Sequence, residues 1–209
     1  MRLLLALAAT LLLLPFAAAG AQPAGAGERY VPQGIWRDPE DAERREREIG
    51  RLFRAIGEPV LEADPRPYAR RFRLLVIPDG PASVTMLGID ERRAGSAKVR
   101  VTWLDRARDY SLRAPAERRS YDIDRHSVLE LERALAISGL VRLAPEGEPM
   151  PADYIDSNGD GVIHLCMHPT TYVFELVERG RRSYVLRDSC DMTGPLWRLL
   201  NTLDPLVER

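Results

Sequence analysis

"PRPYARRFRLLVIPDGPASVTMLGIDERRAGSAKVRVTWLDRARDYSLR", Pro65 to Arg113, is the stretch whose reading decides the fold. Phe72 to Ile77 and Val84 to Ile89 are short apolar runs bounded by Pro, Asp and Gly, residues that favour turns. Ala97, Val99, Val101 and Trp103 alternate with Lys98, Arg100 and Thr102, the two-residue period of a half-buried strand. "ERRAGS", between two such runs, reads as a hairpin connection. Tyr110 and Leu112 continue the meander. The stretch predicts three or four antiparallel strands with one face wet.

Helical signals flank it on both sides. In "DPEDAERREREIGRLFRAIG", Asp38 suits the cap, Pro39 the first helical position, and acidic residues the first turn, where the helix dipole favours them. Ile49, Leu52, Phe53 and Ile56 lie on one helical face and Gly57 supplies the stop. The first half of this helix is nearly all charged, so only its last turns are expected to dock. In "YDIDRHSVLELERALAISGL", Asp124 caps, Val128, Leu131 and Leu135 form a core stripe, and Gly139 ends the helix.

A Pro- and Gly-rich connection, "APEGEPMPADYIDSNGDG", leads to a second β unit: Val162 to Cys166, Thr170 to Val177, a turn at "ERGRR", and Ser183 to Arg187. "TGPLWRLLNTLDPLVER" closes the chain as a helix, with Pro195 near its start and Leu196, Leu199, Leu200 and Leu203 as an apolar stripe. The order helix, strands, helix, strands, helix predicts an α+β domain. Three helices pack on antiparallel sheet, with one disulfide.

At the N-terminus, "MRLLLALAATLLLLPFAAAGAQ" has a short positive start at Arg2, an apolar run from Leu3 to Phe16, and small residues that fit signal-peptidase cleavage. The run is shorter than the ~20 residues of a bilayer span. The expected organisation is a signal peptide over 1–21, a flexible leader over 22–37, and a single domain over 38–209. After signal cleavage no segment is apolar enough for an integral membrane span, so the product is expected in the periplasm or secreted. Charge is nearly balanced, 30 basic against 31 acidic residues, which gives no reason to expect nucleic acid as a partner. Lys98 is the only lysine.

Two cysteines in an exported chain are most simply a pair. Cys166 and Cys190 would close a loop of about 25 residues, for which the chain-entropy model gives ~3–4 kcal/mol.

"DSNGDGVIHLCMH", Asp156 to His168, carries the metal-ligand candidates. Asp156, Asn158 and Asp160 occupy the first, third and fifth positions of an EF-hand loop, Gly161 the bend and Ile163 the apolar position. Met167 stands where the closing glutamate belongs, and the preceding residues are too rich in proline for an entering helix. A calcium ion held with help from Glu146 or Glu148 is the first alternative to a plain turn. His164 and His168, flanking Cys166, form an alternative zinc or copper pair, short of the four ligands of a closed zinc site. Pro169 disfavours a helix there.

The chain has no Gly-x-Ser-x-Gly elbow, no His-Glu-x-x-His pair and no phosphate-cradling glycine loop. A thiol enzyme would need Cys166 reduced, with a histidine in reach. The C-terminal layout resembles that of exported bacterial proteins without an assigned activity. Its parts are "DG" before a strand, the hairpin "TTYVFELVERGRRSYVLRDSC", and a closing helix with spaced leucines, about the last 85 residues. The reading is an exported binding or structural domain, its partner a protein or small ligand docking on the sheet faces or on the 144–161 loop. A calcium-binding protein and a hydrolase or thiol enzyme are the alternatives.

Overall fold

A computed structural model describes residues 29–32, 34–36, 39–62, 66–107, 111–113, 117–146 and 169–208. The elements are α1 (Pro39–Ile56), β1 (Arg70–Ile77), β2 (Val84–Glu91), β3 (Ala97–Leu104), β4 (Glu117–Ile123), α2 (Arg125–Ser138), β5 (Thr171–Glu178), β6 (Arg181–Asp188) and α3 (Gly194–Glu208). One six-stranded sheet runs in the order β4-β3-β2-β1-β5-β6, with every neighbouring pair antiparallel. The two β units of the sequence are therefore halves of one sheet, joined where β1 pairs with β5. The α+β architecture with three helices stands.

Local chemistry explains the boundaries. Asp124 accepts from the Ser127 amide at 2.9 Å and opens α2, and Gly139 in a left-handed conformation ends it. The β5–β6 hairpin turns through Arg179 and Gly180, both at positive φ, the two-residue geometry that matches strand twist. Leu112 makes only an isolated bridge with Arg106. The fourth strand is Glu117–Ile123, a segment with too few apolar residues to show a strand period. Tyr110 and the segment Val162 to Cys166 lie outside the described residues.

The sheet has no wet face over its central strands. On one side Phe72, Leu74, Leu87, Ile89, Val99, Val101, Phe174 and Val185 meet Leu131 and Leu135 of α2 and Leu196, Leu199 and Leu203 of α3 in one core. On the other side Leu75, Met86, Val173 and Leu186 meet Leu52, Phe53 and Ile56 of α1 in a second core. The expectation of one solvated face fails because α1, charged along its first half, still buries its last two turns. Each of those fully buried side chains is worth ~1.5–3 kcal/mol of burial. Tyr30 and Val31, inside the stretch read as flexible leader, are also buried in this second core, with Tyr30 stacked on Phe53 at 5.3 Å. The folded body thus reaches back at least to Tyr30. Over the central strands both sheet faces are covered by helices, while Glu117 to Ser120 of β4 are exposed.

Candidate functional site

Strand parity on the α1 side brings charged residues together. In register across the sheet run Ser120, Arg100, Gly88, Arg73, Glu175 and Tyr184. The next row on the same face is Asp122, Lys98, Asp90, Arg71, Val177 and Arg182. Gly88 sits between two arginines because a Cβ there would lie 3.2 Å from the Arg100 guanidinium. Arg73, Asp90 and Glu175 are almost wholly buried.

The carboxylates and guanidinium groups pair with one another, while the buried Tyr184 hydroxyl has no hydrogen-bond partner among the described residues. The Arg73 Nε donates to Glu175 Oε2 at 2.8 Å, and Arg182 donates to the other Glu175 oxygen. Arg71 donates to Asp90 Oδ1 at 2.8 Å, and Arg100 to Oδ2. Glu58, just past α1, lies 3.6 Å from Arg100 and 4.0 Å from Arg73. Burial alone would raise the Asp90 carboxyl, but hydrogen bonds from Arg100 and Arg71 and their charges outweigh it and hold the group below its ordinary value. Burial pushes the Tyr184 phenol well above its ordinary value, and the Glu175 charge adds to the effect.

The network also grips the layer above. Arg73 donates to the Pro59 carbonyl and lies 4.6 Å over the Phe53 ring, while Arg182 donates to the Tyr30 carbonyl. Arg118 of β4 donates to the Ile56 carbonyl at the end of α1, where unpaired carbonyls and the helix dipole attract a cation.

A cleft of about 320 Å³ opens where the middle of α1 passes the ends of β1, β5 and β6. Ile49, Ile77, Pro78 and Leu186 make its apolar parts. Its charged parts are Arg44, Arg45, Glu48, Asp79, Arg106 and Asp188. The Arg106 side chain is nearly buried and donates to the Pro78 and Gly80 carbonyls at 3.0 Å each, fixing the loop after β1. Thr171 Oγ1 donates to Asp188 at 2.7 Å, and Arg45 reaches Glu146 at 3.4 Å and lies over Trp36. Arg187 donates to the Ala144 and Pro145 carbonyls and holds that segment along β6.

Of the residues singled out in the sequence, Asp156, Asn158, Asp160, His164, Cys166 and His168 lie outside the described residues. Glu146, considered as a further calcium ligand, is instead paired with Arg45 and bridges to Leu186. Among the described residues no group of three or more His, Cys, Asp or Glu side chains is placed to hold a metal ion, and none of the cysteines is free. No helix among them is long and apolar enough to cross a membrane. The ionic network and the cleft were both missed by sequence reasoning. The available signal was charge at matching parity in paired strands, Asp90 and Glu175 inside apolar runs opposite Arg71 and Arg73.

Comparison with known proteins adds no family. No protein-family model matches the chain, and no curated protein matches it in sequence.

Proposed function

We propose that this chain is an exported binding domain that takes a small polar ligand in the cleft beside α1. The observation that carries the reading is the cleft itself: apolar walls, three arginines and three carboxylates in a volume near the lower end for small-molecule sites. Balanced charge of both signs favours a zwitterion, such as an amino acid or a short peptide, over a purely anionic or cationic ligand. Helices cover the central strands on both faces, and this end of the α1 layer offers a concave surface to such a ligand.

The signal peptide over 1–21, a periplasmic or secreted location, and the Cys166–Cys190 disulfide belong to the same proposal. The disulfide is proposed from the presence of two cysteines in an exported chain, with Cys190 among the described residues and Cys166 outside them. Thiol titration of the exported protein under denaturing, non-reducing conditions should find none. Two titratable thiols would remove the staple and revive a thiol enzyme.

The cleft is tested by thermal unfolding of the mature protein with a panel of amino acids and di- and tripeptides. A ligand at 100 times its dissociation constant adds about 2.7 kcal/mol. The expected hit loses its effect in Arg44→Ala or Asp188→Asn. No hit, or one indifferent to both substitutions, overturns the reading. The same measurement with millimolar calcium against EDTA tests the alternative at Asp156, Asn158 and Asp160, where a calcium-specific rise should vanish in Asp160→Ala.

A further inference from the structure

We infer that acid releases the α1 layer from the sheet while the α2/α3 layer stays packed. The argument begins with what lies under α1. Three buried carboxylates, Glu58, Asp90 and Glu175, hold four arginines, Arg71, Arg73, Arg100 and Arg182. Protonating the carboxylates removes the acceptors and leaves four guanidinium groups, which cannot lose their charge, beneath the apolar turns of α1. Water reaches those groups most readily where a cover can lift without breaking strand pairing. The α1 layer is such a cover, since it precedes β1 and contributes no strand to the sheet.

The other charged groups facing the network do not replace the lost acceptors. Tyr68 sits 5.4 Å from Arg71, ring to guanidinium, and Lys98 neighbours Asp90 along its row, with Asp122 beyond it. Asp122 is exposed and paired with Arg92. On the α1 side, Glu46 accepts from Trp36 at 3.1 Å, and Arg54 stacks over Tyr30. Arg118 adds a further cation at the end of α1.

The opposite layer responds with the other sign. Glu91 lies at the rim of the α2 side with Arg70, Glu132 and Glu178. Burial raises its carboxyl, as does repulsion from Glu132 and Glu178, against the opposing charge of Arg70. A carboxyl held above its ordinary value gains a proton more readily folded than unfolded, so falling pH favours the fold there. Asp90, held below its ordinary value, contributes stability that is full at neutral pH and is lost as pH falls through its folded value, below about pH 4. Acid therefore loosens one face of the sheet and not the other.

The tryptophans divide between the layers. Trp36 is in the α1 layer, while Trp103 and Trp197 belong to the opposite face. The experiment is an acid titration of the full mature chain, followed by fluorescence, as the Trp103→Phe/Trp197→Phe variant and as the Trp36→Phe variant. Trp36 should change at a pH about one unit or more above the change at Trp103 and Trp197. A shared midpoint overturns the inference. Independently, in wild-type protein at pH 3 the amides of 49–56 should exchange about tenfold faster relative to pH 7 after correction for intrinsic rates, with those of 196–206 changing less than about twofold. Equal acceleration, or none, also overturns it. Because α1 forms one wall of the cleft, release would dismantle the proposed ligand site. The titration itself uses no ligand, so its outcome is separate from the fate of that reading.

Discussion

One residue apart along each strand, the sheet presents two different surfaces. Toward α2 and α3 it shows Phe72, Leu74, Val99 and Phe174, and those helices answer with leucines and a valine. Toward α1 it shows Arg71, Arg73, Arg100 and Glu175 among Leu75, Met86 and Val173, and α1 answers with Leu52, Phe53 and Ile56 together with backbone carbonyls. The first surface excludes water by apolar packing, with one directional tie where the Tyr121 hydroxyl donates to the Leu206 carbonyl of α3. The second fixes α1 through directional bonds, since guanidinium groups must find particular oxygens. Apolar burial supplies most of the attraction on both sides, and the ion network adds position.

The comparison breaks most sharply at Glu175. Glu175→Ala leaves Arg73 without its buried partner and should cost about 3–5 kcal/mol in urea unfolding at pH 7. Replacing the pair together, Arg73→Met with Glu175→Leu, should recover most of that loss, because paired buried charges gain little over apolar residues of similar volume. If the double substitution costs as much as the single, the network carries more than position. On the dry face, Leu199→Ala removes a fully buried side chain of α3 and should cost roughly 2–4 kcal/mol, with little dependence on salt or on pH between 4 and 7. A strong pH dependence there would erase the distinction between the faces. The smallest effect is expected at Glu91→Gln. Removing a carboxyl whose ionised form burial disfavours should leave stability at pH 7 unchanged or slightly higher, and the variant should lack the small gain expected of wild type on mild acidification.

Much of this architecture was legible in the sequence, and the illegible parts share a cause. Alternation over Ala97–Leu104 placed β3, and the Asp124 and Gly139 signals placed α2, because these depend on local chemistry. The same alternation misled about water: Arg100 and Thr102 look solvated along their own strand, and only the docking of α1 shows otherwise. β4 escaped notice because an edge strand packs few side chains and Glu117 to Ser120 are all exposed. The cleft assembles from five separate segments of chain, so no local pattern could announce it. The candidates that drew most attention in the sequence, Asp156 to His168, lie outside the described residues.

The bond from the Leu186 amide to the Pro145 carbonyl has a consequence for how the protein behaves among copies of itself. An unpaired strand edge is a template on which another chain can add, and β6 has part of its rim occupied by the segment that Arg187 holds. At the opposite rim β4 pairs only with β3 among the described residues, and its outward stretch is Glu117, Arg118, Arg119 and Ser120. Stacking such strands would set like charges beside one another in a register with no apolar reward. Crowded molecules of this protein are thereby steered away from sheet-to-sheet growth, by a tether at one rim and by mutual repulsion at the other.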